Sequence, residues 1–104
     1  MKTGFIAGAM LAMLLSGALA VAGDAVKGKE KSMLCAGCHG VAGISVTPII
    51  PNLAGQKEQY LVKAINDYGA GKRKDPMMSS IAQGLNDEAI ADLAAYFSQL
   101  GATQ

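Results

Sequence analysis

Both cysteines of this 104-residue chain and its single histidine fall within five consecutive positions, Cys35-Ala36-Gly37-Cys38-His39. No other feature constrains the fold as strongly. On a helical turn, residues i and i+3 share a face, so the two sulfurs project to the same side. His39 lies four residues after Cys35 and is carried to that side as well. One short segment thus presents two thiols and an imidazole to one neighbour. Gly37, between them, is expected to keep a bulky side chain away from that neighbour.

The first 22 residues read as a secretory leader. Met1-Lys2-Thr3 is a short basic start, and Phe5 to Ala22 is 18 residues without a charge. Ala18-Leu19-Ala20 or Ala20-Val21-Ala22 offers a small-residue cleavage site. Eighteen apolar residues also approach the lower limit for a membrane span, but Ser16, Gly17 and the two cleavage sites favour removal. The expected boundaries are 1–22 for a cleaved signal peptide and 23–104 for one domain exported to the periplasm. Nothing in 23–104 is suited to cross a membrane. Removing Lys2 leaves eight basic and eight acidic residues, so the mature domain is neutral. Neutrality argues against nucleic acid as a partner, since that surface must be basic. The 51% apolar composition argues against disorder. Export also implies an oxidising compartment, where two thiols do not stay free without a reason.

Within 23–104 the apolar periodicity is helical. Asp24 is a fair N-cap, followed by Ala25, Gly28, Ser32 and Cys35 on one small-residue face. Tyr60, Leu61, Ala64, Ile65 and Tyr68 follow the spacing of an amphipathic helix, which Gly69 ends. Asn86 caps a last helix, with Asp87 and Glu88 at its positive end. Ile90, Leu93, Ala94 and Phe97 form its buried stripe, and Leu100 lies near its end. Residues 40–51 read as a loop because of Gly40, Gly43, Pro48 and Pro51. The same prolines cancel the strand propensity of Val46 to Ile50. Gly69 to Pro76 is a polar loop carrying Lys72-Arg73-Lys74. The fold class is all-α with three main helices. Eighty-two residues holding four aromatics make a thin core, and chains this small lean on a staple.

A cofactor supplies the missing core. Cys-x-x-Cys-His reads as the covalent attachment site of a c-type haem, with Cys35 and Cys38 bonded to its vinyl groups and His39 on the iron. A thioredoxin-like dithiol would need a βαβ scaffold that this chain does not offer. A structural zinc needs four ligands, and Cys35, Cys38 and His39 exhaust the supply short of a carboxylate. A disulfide across two residues would stabilise little. The second axial ligand follows by elimination, because no other histidine exists and both cysteines are consumed. Methionine remains, and His/Met ligation raises the reduction potential. Met1, Met10 and Met13 leave with the leader, and Met33 starts from the His39 side. Met77 or Met78, in a loop after Pro76, is left to reach the other face.

From Gly23 onward the chain resembles a class I c-type cytochrome, of the small bacterial periplasmic kind or one half of a two-haem relative. Asp24-Ala25-Val26-Lys27-Gly28-Lys29 is similar to the family's N-terminal helix, and Ala91-Asp92-Leu93-Ala94-Ala95-Tyr96-Phe97 to its C-terminal helix. Pro51-Asn52-Leu53 resembles the loop that follows the attachment motif. The resemblance implies a cytochrome c fold, three main helices wrapped around one haem. It implies that Gly28 meets Leu93 and Tyr96 where the terminal helices cross. It further implies that the Pro51 carbonyl accepts a hydrogen bond from the non-ligating nitrogen of His39 and that Leu53 packs on the haem. By the family's spacing, Met78, seven residues before Leu85, is the iron ligand and Met77 its rival. The segment between Tyr68 and Met78 is shorter than in mitochondrial-type members.

A covalently held, six-coordinate haem has no free position for substrate and exchanges an electron with little rearrangement. The expected function is therefore one-electron transfer in a respiratory chain, not catalysis, between a donor reductase and an acceptor oxidase or reductase. The alternatives are a haem subunit docked on a dehydrogenase or oxidase, and a peroxidase or gas-binding protein with an open iron position. Met77 and Met78 argue against the last. Lys72, Arg73 and Lys74 form the only three-residue run of one charge. They read either as a solvated loop or as a patch that rims the haem edge and steers an acidic redox partner. Such steering acts on association rate and fades with salt.

Overall fold

The computed structural model describes residues 22–101; the expected signal segment lies outside them except for Ala22. Among the described residues there are five α-helices and no strand: α1 (Ala25–Lys31), α2 (Met33–His39), α3 (Glu58–Gly69), α4 (Pro76–Gln83) and α5 (Asp87–Gln99). The all-α expectation holds, with two more helical pieces than the three main ones. No described helix is long and apolar enough to cross a membrane.

The first arm starts where its cap predicts. Asp24 Oδ1 accepts hydrogen bonds from the Val26 and Lys27 N–H groups at 2.9 and 3.2 Å. Lys29 and Lys31 stand in the last turn of α1, favourable at the negative end of a helix. The sequence predicts one helix through Cys35, but the chain makes two. Ser32 Oγ donates to the Lys29 carbonyl at 2.6 Å, and the Ser32 N–H reaches the same oxygen at 3.2 Å. A hydroxyl that competes for a helical carbonyl bends the helix at that point. Ser32 itself stays right-handed, at φ −63° and ψ −18°, so α2 leaves the joint without a reversal.

α1 packs on α5, and the contact depends on Gly28. A Cβ built there would lie 1.9 Å from the Asp92 carbonyl oxygen and 2.7 Å from Tyr96 Cβ. Tyr96 stands at this crossing as the resemblance implies, and the backbone of Asp92 comes nearest of all. Leu93 is buried in one cluster with Leu61, Ala94, Tyr96 and Phe97, and Ala25 of α1 packs against that cluster. The predicted stripe Ile90, Leu93, Ala94 and Phe97 is buried, and Ala89, Ala91, Asp92 and Tyr96 are buried as well. α5 is enclosed by α1 on one side and α3 on another, so its burial exceeds one stripe.

Asp92 is a carboxylate with 1% of its surface exposed. Lys31 Nζ donates to its Oδ2 at 2.6 Å, and the Asp24 N–H donates to its Oδ1 at 2.8 Å. The hydrogen bond from Lys31, then that from the Asp24 backbone, hold the carboxyl below the usual carboxylate range. The same pairing holds Lys31 above its ordinary value.

Two local expectations are corrected in the second half. Gly69 is the last residue of α3, not the residue after it, and the left-handed position falls two residues later at Gly71, φ +78°. Met77 and Met78 lie in α4, not in a loop. Asp75 Oδ1 accepts from both of their N–H groups, at 3.0 and 2.9 Å, and Pro76 occupies the first helical position, where a missing N–H costs nothing. Asn86 caps α5 as predicted, accepting from the Ala89 N–H at 2.8 Å.

Gly28→Leu should lower the free energy of unfolding by roughly 1–3 kcal/mol or more, because the side chain has no space between two backbones. Urea unfolding measures this, and an unchanged midpoint would mean that the helices do not meet there. Asp92 carries a second expectation. Its depressed carboxyl contributes stability that is complete above the unfolded-state value of about 3.9 and is lost as pH falls through the folded-state value. Asp92→Asn should therefore be less stable near neutrality and show a flatter loss of stability on acidification below about pH 5, followed by urea midpoints at each pH.

Candidate cofactor site

The helices enclose a cavity of about 430 Å³. Cys35, Cys38 and His39 all line it, from the single turn of α2 that the motif spacing requires. Gly37 does not. It is exposed, and a Cβ built on it meets no described residue within 4 Å. Positions between the two cysteines face away from the cavity for the same helical reason that the cysteines face into it.

His39 is 7% exposed, and its Nδ1 lies 2.7 Å from the Pro51 carbonyl oxygen. A carbonyl can only accept, so Nδ1 carries the hydrogen and Nε2 keeps its lone pair. The loop that delivers Pro51 is held by glycine geometry. Gly40 ends α2 at φ +87°, and a Cβ there would lie 2.0 Å from the Ile44 carbonyl oxygen. The Gly43 carbonyl then accepts from the Leu53 and Ala54 N–H groups at 2.8 and 3.0 Å. Asn52 Oδ1 accepts from the Ser45 N–H at 2.7 Å, which ties both ends of the loop together. Leu53 is half-buried, packs against the core and lines the cavity.

α3 forms a further wall. Tyr60, Leu61, Ala64, Ile65 and Tyr68, the predicted amphipathic stripe, all line the cavity, and only Leu61 among them is buried. Leu61 joins the buried cluster with Leu93 and Phe97 of α5, and the other four border a space. Both methionines of α4 reach this cavity; Met78 is half-buried and Met77 is 64% exposed.

The basic run is divided. Arg73 lines the mouth of the cavity, while Lys72 and Lys74 are exposed and do not. The Arg73 guanidinium sits 4.5 Å from the ring centroid of Tyr68. The sequence carried no signal for this, because Arg73 is embedded between two lysines in a polar loop.

The chemistry available to this donor set is narrow. Burial, with Cys38 nearby, pushes the Cys35 thiol up from its ordinary value. A redox-active dithiol needs the opposite shift. Among the described residues, no three His, Cys, Asp or Glu side chains converge to hold a metal ion without further ligands. The cavity wall is mainly apolar, with Ile50, Leu53, Ile65, Ile81 and Leu85 among its residues, which suits an apolar occupant. Two free thiols, one imidazole nitrogen and two thioethers on the rim of an apolar cavity suit a covalently attached haem.

The family model for cytochrome c matches residues 25–101. The chain is 49% identical over 80 residues to cytochrome c-554(548) of Halomonas halodenitrificans, a match that covers 74% of this chain and 96% of that one. It is 43% identical over 89 residues to cytochrome c4 of Pseudomonas aeruginosa, covering 86% of this chain and 44% of that one. The crystal structure of reduced recombinant cytochrome c4 from Pseudomonas stutzeri superposes with a TM-score of 0.73 at 42% identity, covering 77% of this chain and 47% of that one. The chain thus spans nearly all of the first relative and about half the length of the cytochrome c4 chains.

Asp75 is the residue that starts α4 and so positions both methionines. Asp75→Ala should lower stability by about 0.5–2 kcal/mol, and Asp75→Asn, which keeps an acceptor, should retain most of it. Equilibrium urea unfolding of the two variants checks the difference.

Proposed function

Because this chain belongs to the cytochrome c family and so binds haem c and its iron covalently, we propose that it is a periplasmic one-electron carrier with His39 and Met78 as the axial ligands. Cys35 and Cys38 form the two thioether links. The observation that carries the reading is the pairing, around one apolar cavity, of a histidine locked by Pro51 with the methionines of α4. When bound, the haem supplies one iron that alternates between the ferric and ferrous states.

The surrounding residues account for the rest. The Pro51 carbonyl holds the proton at Nδ1 of His39, which leaves the Nε2 lone pair available to hold the iron and would raise its basicity. The thioether of Met78 is a soft ligand and favours the ferrous state. Its half-buried position supports it over the exposed Met77. Apolar side chains of α3 and α5 line the cavity and would keep water from a bound haem, so little would have to reorganise when its charge changes. With His39 and Met78 both holding the iron, no position would remain for a substrate. The leader of residues 1–22 supports export. Redox proteins, a donor and an acceptor, are the partners that this chemistry serves.

The wild-type protein, made in a periplasm able to attach haem, should carry a haem stain on a denaturing gel, and its absence would overturn the reading. Cys35→Ser and Cys38→Ser should each weaken that retention. Met78→Ala should lose the thioether-to-iron charge-transfer band of the oxidised protein and lower its potential, whereas Met77→Ala should keep both. The reverse pattern would move the ligand to Met77.

A further inference from the structure

We propose that Met77 is a modification site on the rim of the cofactor cavity: a peroxide converts its thioether to the sulfoxide while Met78 stays on the iron, and the change lowers the reduction potential of the carrier. The inference rests on the function proposed above. The described residues hold three methionines, and each stands in a different setting. Met33 is 70% exposed and does not line the cavity. Met78 lines the cavity and is half-buried. Met77 combines the two properties, lining the cavity with 64% of its surface exposed. An oxidant arriving from water therefore meets at Met77 a sulfur that borders the cofactor.

The chemistry separates the two neighbours. Hydrogen peroxide transfers one oxygen to a thioether: the O–O bond breaks and an S–O bond forms. The hydrogen of the transferred oxygen passes to the departing hydroxide, and water leaves. Sulfur gives up two electrons and the peroxide takes them. The step needs a free lone pair on an accessible sulfur. Met78, bound to iron, commits one lone pair to the metal and is screened by burial, whereas Met77 keeps both. The backbone of Met77 is held independently of its side chain. Asp75 Oδ1 accepts the Met77 N–H at 3.0 Å, and the Asp75 carbonyl accepts the Ser79 N–H at 2.8 Å. Oxidation at Met77 thus leaves the first turn of α4 in place and puts the new S–O group within reach of water. A sulfoxide is polar where the thioether is apolar. Ferric haem carries one more positive charge than ferrous haem, so a negative oxygen added at the rim favours the ferric state. The same oxygen on Met33, away from the cavity, should leave the balance alone.

The test uses ferric holoprotein as wild type, Met33→Leu and Met77→Leu, each checked by haem stain, treated with hydrogen peroxide and quenched with catalase. The readouts are the position of the added oxygen by peptide mass spectrometry, the thioether-to-iron charge-transfer band and the midpoint potential. In Met33→Leu, Met77 should gain one oxygen severalfold faster than Met78, with the band retained. Its ferrous-to-ferric ratio at a fixed applied potential should fall by roughly twofold, the size of a fractional charge acting across a few ångströms of a medium between protein and water. In Met77→Leu, Met33 should gain the oxygen with the ratio unmoved. Methionine sulfoxide reductases for both epimers, with a dithiol as reductant, should restore the ratio in treated Met33→Leu. Wild type in which Met33 is oxidised and Met77 is not overturns the inference, and so does a Met77 sulfoxide with an unmoved ratio. Loss of the band in step with oxygen on Met77 also overturns it, and moves the iron ligand to Met77. Wild type without covalent haem would instead overturn the function itself.

Discussion

The approach of α1 to the backbone of α5 is the contact on which the rest of this structure depends. It is possible only without side chains, and two glycines provide it: a Cβ at Gly28 would lie 1.9 Å from the Asp92 carbonyl oxygen, and one at Gly23 would lie 2.0 Å from that of Ala91. A pair of helices this close can slide, and Asp92 prevents it. Its two oxygens take the Asp24 N–H before α1 and the Lys31 ammonium in the last turn of α1, so any shift in register breaks one or both. A buried ion pair is weak evidence for net stability, because desolvation offsets much of the attraction. Its value here is in register. α2 continues from α1 through Ser32, and the register of the crossing therefore sets where Cys35, Cys38 and His39 stand.

What the helices do not do is fill their own interior. Leu61, Leu93, Ala94, Tyr96 and Phe97 form the buried cluster, with the Tyr96 and Phe97 rings edge to face at 5.1 Å. The apolar face of α3 contributes little to that cluster, because four of its five stripe residues border the cavity without being buried. Apolar surface of this kind stabilises only when something removes it from water. The haem is thus the part of the core that the chain does not encode, and its covalent attachment makes that part permanent.

The relatives show the same unit in two settings. The match takes in 96% of cytochrome c-554(548) and under half of the cytochrome c4 chains. A unit used in both ways has to close its cavity with its own elements. Here α2 and the loop at Pro51 supply one wall, α3 a second and α4 with α5 the remainder.

Much of the site was legible in the sequence because its rules are local. Three scarce residues at i, i+3 and i+4 must share one side of a turn, and all three line the cavity. Asp24 and Asn86 act within three residues of themselves, so their capping followed from position alone. The family resemblance added the bond from His39 to Pro51, which the geometry contains. Tertiary structure decided the remainder. Gly28 comes closest to the Asp92 backbone, Gly37 faces solvent, and the charged residue buried at the crossing, among the described residues, is Asp92. Arg73 turns to the cavity between two lysines that do not. Such outcomes depend on how one helix is rotated and shifted against another. Sequence periodicity states which residues share a face, but only packing states what that face meets.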